Sequence, residues 1–187
     1  ISGFNVFHNM GHLHLMLNEL RIFGDYDHIG SYVANLTECA SDESRFLSLL
    51  VDNWSRAFDY KGNRMVETVL NLLATLDYGL DEKDILDYVK TPETHWQQFL
   101  ATSDSFLYMQ DGRYYMHNVY RSSFNVIFTD TIKSFRYDWV TYIEKKVAEE
   151  NYVPDYKIYE LISLYRSLHY QLYEHFNGKK PDYYVPE

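Results

Sequence analysis

With 187 residues, 46% of them hydrophobic and 24% charged, the chain is long enough for one domain or two small ones with a buried core. Its formal net charge of −10 repels phosphate backbones and anionic membrane surfaces, which argues against nucleic acid and membrane as partners. A single cysteine excludes an internal disulfide, and no apolar run approaches the roughly 18 residues that cross a bilayer. We therefore expect a soluble, cytoplasmic chain, and its start at Ile1 without Met favours a fragment of a larger protein.

Three helices are predicted in the first third, over residues 13–23, 26–40 and 43–58, because apolar side chains recur there at intervals of three and four. Gly24 is expected to end the first helix, and Ser41 or Asp42 to cap the third. The apolar positions are Leu13, Met16, Leu17 and Leu20, then Ile29, Val33 and Leu36, then Phe46, Leu49, Leu50, Trp54 and Phe58. Lys61-Gly62-Asn63 then breaks the chain.

The middle third begins with three shorter predicted helices, over residues 65–76, 81–89 and 93–102. Asp81 is expected to cap the second of them. Thr91 is expected to cap the third, with Pro92 at its first helical position.

A β-hairpin is predicted next, because Asp111-Gly112 stands between two aromatic-rich runs, residues 106–110 and 113–117. Three short helices followed by a hairpin give the element order of a winged helix, and a helix is expected to continue from Val119. The last third predicts two more helices, over residues 137–150 and 156–176, and no repeat of a solenoid is present.

The residues give little support to a catalytic site. A Gly-rich phosphate loop and a nucleophile elbow are both absent from the sequence. His8 and His12 are four residues apart, as metal ligands on a helix are, but the stretch has no carboxylate partner, and surface or half-buried histidines are the favoured interpretation. The acidic residues between Asp81 and Asp87 are interpreted as a solvated face. We predict no catalytic and no metal-binding residues.

DNA binding is also disfavoured, although a winged helix raises the question. The recognition helix would be residues 93–102, which contain no Lys and no Arg, and the hairpin offers only Arg113. Both base readout and phosphate neutralisation depend on such cations.

Three stretches together resemble the signal-transduction ATPases with numerous domains (STAND), the NACHT and NB-ARC relatives in the AAA+ superfamily. Residues 9–24 (NMGHLHLMLNELRIFG) are similar to the family's helical-domain segment, and residues 66–88 (VETVLNLLATLDYGLDEKDILDY) to the opening of its winged helix. Residues 111–124 (DGRYYMHNVYRSSF) resemble its wing, where Met116-His117-Asn118 stands in place of Met-His-Asp. Residues 165–176 look like the helix that leads into the family's C-terminal repeats.

The resemblance implies a site and a role. His117 would contact the β-phosphate of ADP, and Met10 takes the place of a proline that packs near the adenine, which weakens that contact. Asn118 in place of Asp removes a charge from the switch. ADP or ATP would be held mainly by an upstream nucleotide-binding domain, so this portion by itself is expected to need no cofactor and to catalyse nothing.

The resulting prediction is a mainly α protein: a lid-like helical domain (residues 1–61), a winged helix with one small hairpin (62–136) and a C-terminal helical segment (137–187). Its partners would be the upstream core and C-terminal repeats of the same chain, with a homo-oligomer on activation. The rival interpretation is a stand-alone helical protein-interaction module that uses the Tyr-rich helices of residues 137–176 and has no nucleotide role.

Overall fold

The computed structural model of the chain describes residues 10–40, 42–129, 132–149, 162, 163 and 165, except for the side chains of residues 10–12, 22, 132 and 133. The fold is mainly α with one small antiparallel sheet, as the sequence predicts. The described helices are α1 (Met10–Ile22), α2 (Ile29–Cys39), α3 (Glu43–Phe58), α4 (Met65–Thr75), α5 (Glu82–Val89), α6 (Glu93–Ser103), α7 (Asn118–Ile127) and α8 (Ile132–Glu149). The described strands are β1 (Leu80–Asp81), β2 (Leu107–Gln110) and β3 (Arg113–Met116).

The chain divides into two compact units, Ile1–Thr129 and Asp130–Glu187. The prediction of three domains with boundaries at residues 61 and 136 remains a prediction. Within the first unit α3 packs against α2, α4, α6 and α7, so the predicted helical domain and the predicted winged helix share one hydrophobic core.

That core is built from aromatic rings supplied by both parts. Trp54 of α3 stacks on Phe106, with ring centroids 5.2 Å apart, and meets Phe99 of α6 edge to face at 6.5 Å. Phe106 also contacts Phe124 of α7, at 5.8 Å. All four side chains are at least 98% buried. Rings of this size each remove a large apolar area from water, so their contacts hold α3 to the winged helix.

Elements α4 to β3 form the winged helix. Strand β1, which the sequence analysis missed, lies between α4 and α5 and pairs antiparallel with β3, and the sheet order is β1-β3-β2. Asp111 and Gly112 at the hairpin turn both have positive φ, 52° and 77°, as a two-residue type I′ turn requires.

The predicted helix caps are partly confirmed. Asp42 accepts a hydrogen bond from the Arg45 N–H at 3.1 Å, and Asp81 accepts one from the Lys83 N–H at 2.9 Å. The cap predicted at Thr91 is wrong. Pro92 occupies the N-cap position of α6, because its ψ of 141° keeps it out of the helix while its carbonyl already accepts from the Trp96 N–H.

The apolar stripe predicted on α1 is also partly wrong. Leu17 is 56% exposed, whereas Leu15 and Glu19 are buried. The helix is therefore rotated so that a carboxylate faces α2 and α3, which spacing of Leu residues could not indicate.

In the second unit, α8 begins at Ile132, earlier than the predicted residue 137. One side of α8 is buried, comprising Phe135, Trp139, Val140 and Ile143. Trp139 stacks on Tyr142 at 5.1 Å. The helix predicted over residues 156–176 falls almost wholly outside the described residues.

Across the described ranges, no helix is both long and apolar enough to cross a bilayer.

Candidate functional site

His117 lies at the junction between the hairpin and α7. The sequence predicts His117 as the last residue of a strand, but β3 ends at Met116 and His117 is the N-cap residue of α7. Its N–H donates to the Phe106 carbonyl at 2.9 Å, and its carbonyl accepts from the Tyr120 N–H at 2.9 Å. The backbone that carries the imidazole is thus fixed on both sides.

The two faces of the hairpin differ in what they contact. Leu107, Tyr114 and Met116 are buried on the inner face. Side chains alternate along a strand, so Tyr115 and His117 share the outer face, where Tyr108 lies opposite Tyr115 in register. Arg113 has the same parity as Tyr115 in β3, so the outer face combines aromatic rings with one cation.

Three rings on this face form a continuous series. Tyr108 stacks on Tyr115 with centroids 5.4 Å apart and planes 20° apart. Tyr108 also contacts His117, with ring centroids 4.7 Å apart and planes 32° apart. We call Tyr115, Tyr108 and His117 the aromatic ladder.

The ladder begins at the turn that joins α4 to β1. A β-carbon placed on Gly79 would lie 2.7 Å from the Tyr114 carbonyl oxygen and 2.7 Å from Cζ of Tyr115. Gly79 also has a φ of 67°, which L side chains rarely adopt. Only glycine fits here, and its missing side chain leaves room for the Tyr115 ring.

The imidazole of His117 is accessible. The residue is exposed, and within the described ranges neither ring nitrogen has a hydrogen-bond partner. It stands at the amino end of a ten-residue helix, where the helix dipole favours negative charge. A histidine in this place can donate to an anionic oxygen, and a phosphate oxygen is one such acceptor.

Met10, the second predicted site residue, is the first residue of α1, and its side chain is not among those described. Helix α1 contacts α6, and Asn18 donates to Asp104 at 3.3 Å at that contact. Of the two predicted site residues, only His117 therefore has a described environment.

Other candidates from the sequence have structural partners or lie outside the described part. His8 is outside it, and His14 is exposed and lies 3.2 Å from the Asn18 amide. In the described ranges no group of three or more His, Cys, Asp or Glu side chains is arranged to hold a metal.

The acidic residues of α5 are more than a solvated face. Asp81 caps the helix, and Asp84 is 95% buried. Glu82 accepts a hydrogen bond from the Trp96 indole at 2.7 Å, which ties α5 to α6. Glu82 and the burial of Tyr114 together raise the pKa of the Tyr114 hydroxyl, with burial the larger cause.

Glu19 is the buried charge that the sequence analysis missed. Its Oε1 accepts from the Tyr32 hydroxyl and, at 3.3 Å, from the Asn53 amide, and its Oε2 accepts from the Trp54 indole at 2.7 Å. Burial, reinforced by Glu19, raises the pKa of Tyr32 far above its usual value. Both carboxylate oxygens accept hydrogen bonds from donors of α2 and α3, so this cluster joins three helices.

Comparison of the chain with protein-family models, with curated proteins and with solved structures found no match. The geometry of the winged helix and of the aromatic ladder must therefore support any assignment by itself.

Proposed function

We propose that this chain is the regulatory helical and winged-helix portion of a STAND-type ATPase, which senses the bound nucleotide and controls activation and oligomerisation in the cytoplasm. The observation that carries the proposal is the position of His117. It is an exposed imidazole, fixed by backbone hydrogen bonds at the end of the wing, where the resemblance expects a phosphate ligand.

The element order supports the same proposal. Three short helices, a hairpin and a further helix follow one another in the order that the family resemblance implies. Helices α1–α3 precede them as a helical layer. The absence of Lys and Arg from α6 argues against the commonest alternative use of a winged helix, which is DNA readout.

In this proposal His117 donates a charge-assisted hydrogen bond to the β-phosphate of ADP that an upstream nucleotide-binding domain holds. The contact exists only while the wing lies against that domain. Loss of ADP releases the wing, and the parent chain, with its C-terminal repeats, oligomerises. The difference in nucleotide contacts between the two states supplies a coupling free energy, typically 1–3 kcal/mol. No residue of this portion takes part in bond cleavage.

The test is His117→Ala in the full-length protein that contains these residues. A hydrogen bond to a charged group contributes about 1.5–3 kcal/mol, so ADP should dissociate with a Kd that is roughly 10- to 150-fold higher. Retained ADP is measured by chromatography of the denatured protein, and oligomeric state by light scattering. His28→Ala is the matched control, because His28 is also an exposed histidine but pairs with Asp25 at 2.7 Å, remote in sequence from the wing.

Unchanged ADP content and unchanged oligomeric state in His117→Ala would refute the switch. The second candidate, a helical protein-interaction module, would then be preferred. An observation in its favour is that Tyr137 of α8 is 66% exposed, and exposed Tyr is common in protein interfaces.

A further inference from the structure

We infer that Tyr108 is a positioning residue for His117: its ring, held between Tyr115 and His117, fixes the direction in which the imidazole points. The claim that this orientation serves a phosphate contact rests on the proposed function, whereas the claim that Tyr108 orients the imidazole does not. Nothing in the motif Met116-His117-Asn118 indicates it, because Tyr108 is on the other strand of the hairpin.

Apart from the contact with Tyr108, little constrains the side chain of His117. Its backbone is fixed, but its side chain is exposed and its ring nitrogens have no hydrogen-bond partner within the described ranges. An exposed imidazole with two free torsions samples several rotamers. Among the described residues, the ring of Tyr108, at a centroid distance of 4.7 Å, is the aromatic group whose contact selects among these rotamers.

The ring of Tyr108 is itself held in place by its neighbour on the paired strand. It stacks on Tyr115 at 5.4 Å, and the two residues are directly paired between β2 and β3. Directly opposed aromatic pairs stabilise antiparallel strands and restrict each other's rotamers. Although Tyr108 is 38% exposed, its ring contacts the rings of both Tyr115 and His117.

The aromatic ladder is anchored where Tyr115 packs against Gly79. The space occupied by the Tyr115 ring exists because Gly79 has no side chain, and Gly79 belongs to the turn between α4 and β1. The orientation of His117 is thereby connected to the body of the winged helix through two rings, Tyr108 and Tyr115. A phosphate contact made by His117 would thus report the position of the whole winged helix, as a nucleotide sensor requires.

The geometric part is tested by NMR on the 187-residue chain, using the Cε1–H resonance of His117. In the unsubstituted chain, the ring current of Tyr108 should shift this resonance away from the chemical shift of a solvent-exposed histidine. Tyr108→Leu should return it to that position, whereas Tyr108→Phe, which keeps the ring, should leave it displaced. Met109→Leu is the control, since Met109 is the next residue of β2 and is 59% exposed. A resonance that does not respond to Tyr108→Leu would overturn the inference.

The functional part is tested by a double-mutant cycle in the full-length protein, with dissociation of a fluorescent ADP analogue as the readout. Tyr108→Leu should raise the Kd roughly 2- to 10-fold, the cost of immobilising one side chain on binding. The same change in the His117→Ala background should have no effect, because a positioning residue acts only through the residue that it positions. Tyr108→Phe should restore the affinity.

Equal effects of Tyr108→Leu in both backgrounds would overturn the inference, since Tyr108 would then act on the nucleotide or the fold independently. If His117→Ala itself leaves the Kd unchanged while the NMR response to Tyr108→Leu is present, the proposed function is wrong and the positioning of His117 by Tyr108 stands.

Discussion

Replacement of Glu19 by Gln tests how the first three helices are held together. The substitution keeps the shape of the side chain but removes its charge and replaces one acceptor oxygen by a donor NH₂. The amide oxygen will take the Oε1 position, because two donors, Tyr32 and Asn53, point there. The NH₂ then faces the Trp54 indole N–H across a distance of 2.7 Å, donor against donor.

The cost follows from burial. Trp54 is 98% buried, so its indole N–H cannot turn to water, and leaving such a donor unsatisfied costs about 1–3 kcal/mol. The bonds from Tyr32 and Asn53 weaken as well, because the acceptor is no longer charged. Relief from burying a charge offsets part of this loss. We expect Glu19→Gln to lower the free energy of unfolding by about 2 kcal/mol.

Urea unfolding followed by far-UV circular dichroism measures the change without relying on the fluorescence of Trp54. A double-mutant cycle with Trp54→Phe isolates the indole contact. In the Phe background no N–H is left unpaired, so Glu19→Gln should cost roughly 1 kcal/mol less there than in the parent. This reasoning would be refuted if Glu19→Gln lowered the free energy of unfolding equally with Trp54 and with Phe at that position. A loss below about 0.5 kcal/mol in the protein that retains Trp54 would refute it as well.

Two further outcomes are expected from the same assay. Gly79→Ala should lower the free energy of unfolding by about 2–4 kcal/mol, because it adds a backbone clash to the strain of a positive φ. Gly112→Ala, where φ is 77° and the surrounding space is open, should lower it by only about 1 kcal/mol. Equal losses for the two variants would contradict the close approach of Tyr115 to Gly79. Burial raises the folded-state pKa of Asp59 above 3.8, so its charged form is disfavoured in the fold and stability rises as the pH falls through the raised pKa. Asp59→Asn should therefore stabilise the protein at neutral pH, and the gain should disappear below about pH 3.8; a pH-independent difference would contradict this.

Much of the local structure could be predicted from the sequence, since it depends on neighbouring residues. The helices α3 to α6 lie close to their predicted ranges, and the side chains of Asp42 and Asp81 accept hydrogen bonds from N–H groups in the first turns of α3 and α5. The Asp111-Gly112 turn is as predicted, because two consecutive positive φ values favour these residue types.

Of the candidate site, only His117 could be predicted from the sequence. His117 was selected through a resemblance, and its place at the wing is where the sequence put it, although as a helix cap rather than a strand residue. The contacts that orient it could not be predicted. Tyr108, Tyr115 and Gly79 are brought to His117 by strand pairing and by a turn some forty residues earlier in the chain, and no short-range pattern contains that information.

The helical class, the hairpin and the element order of a winged helix can be predicted from the sequence, because they depend on periodicity, capping and turn chemistry within a few residues. Tertiary structure alone decided which face of α1 is buried, that β1 pairs with β3, and that a carboxylate lies among Tyr32, Asn53 and Trp54. The physical reason is that burial of a charge is favourable only when donors from other elements meet it, and the meeting of distant elements is fixed by packing of the whole unit.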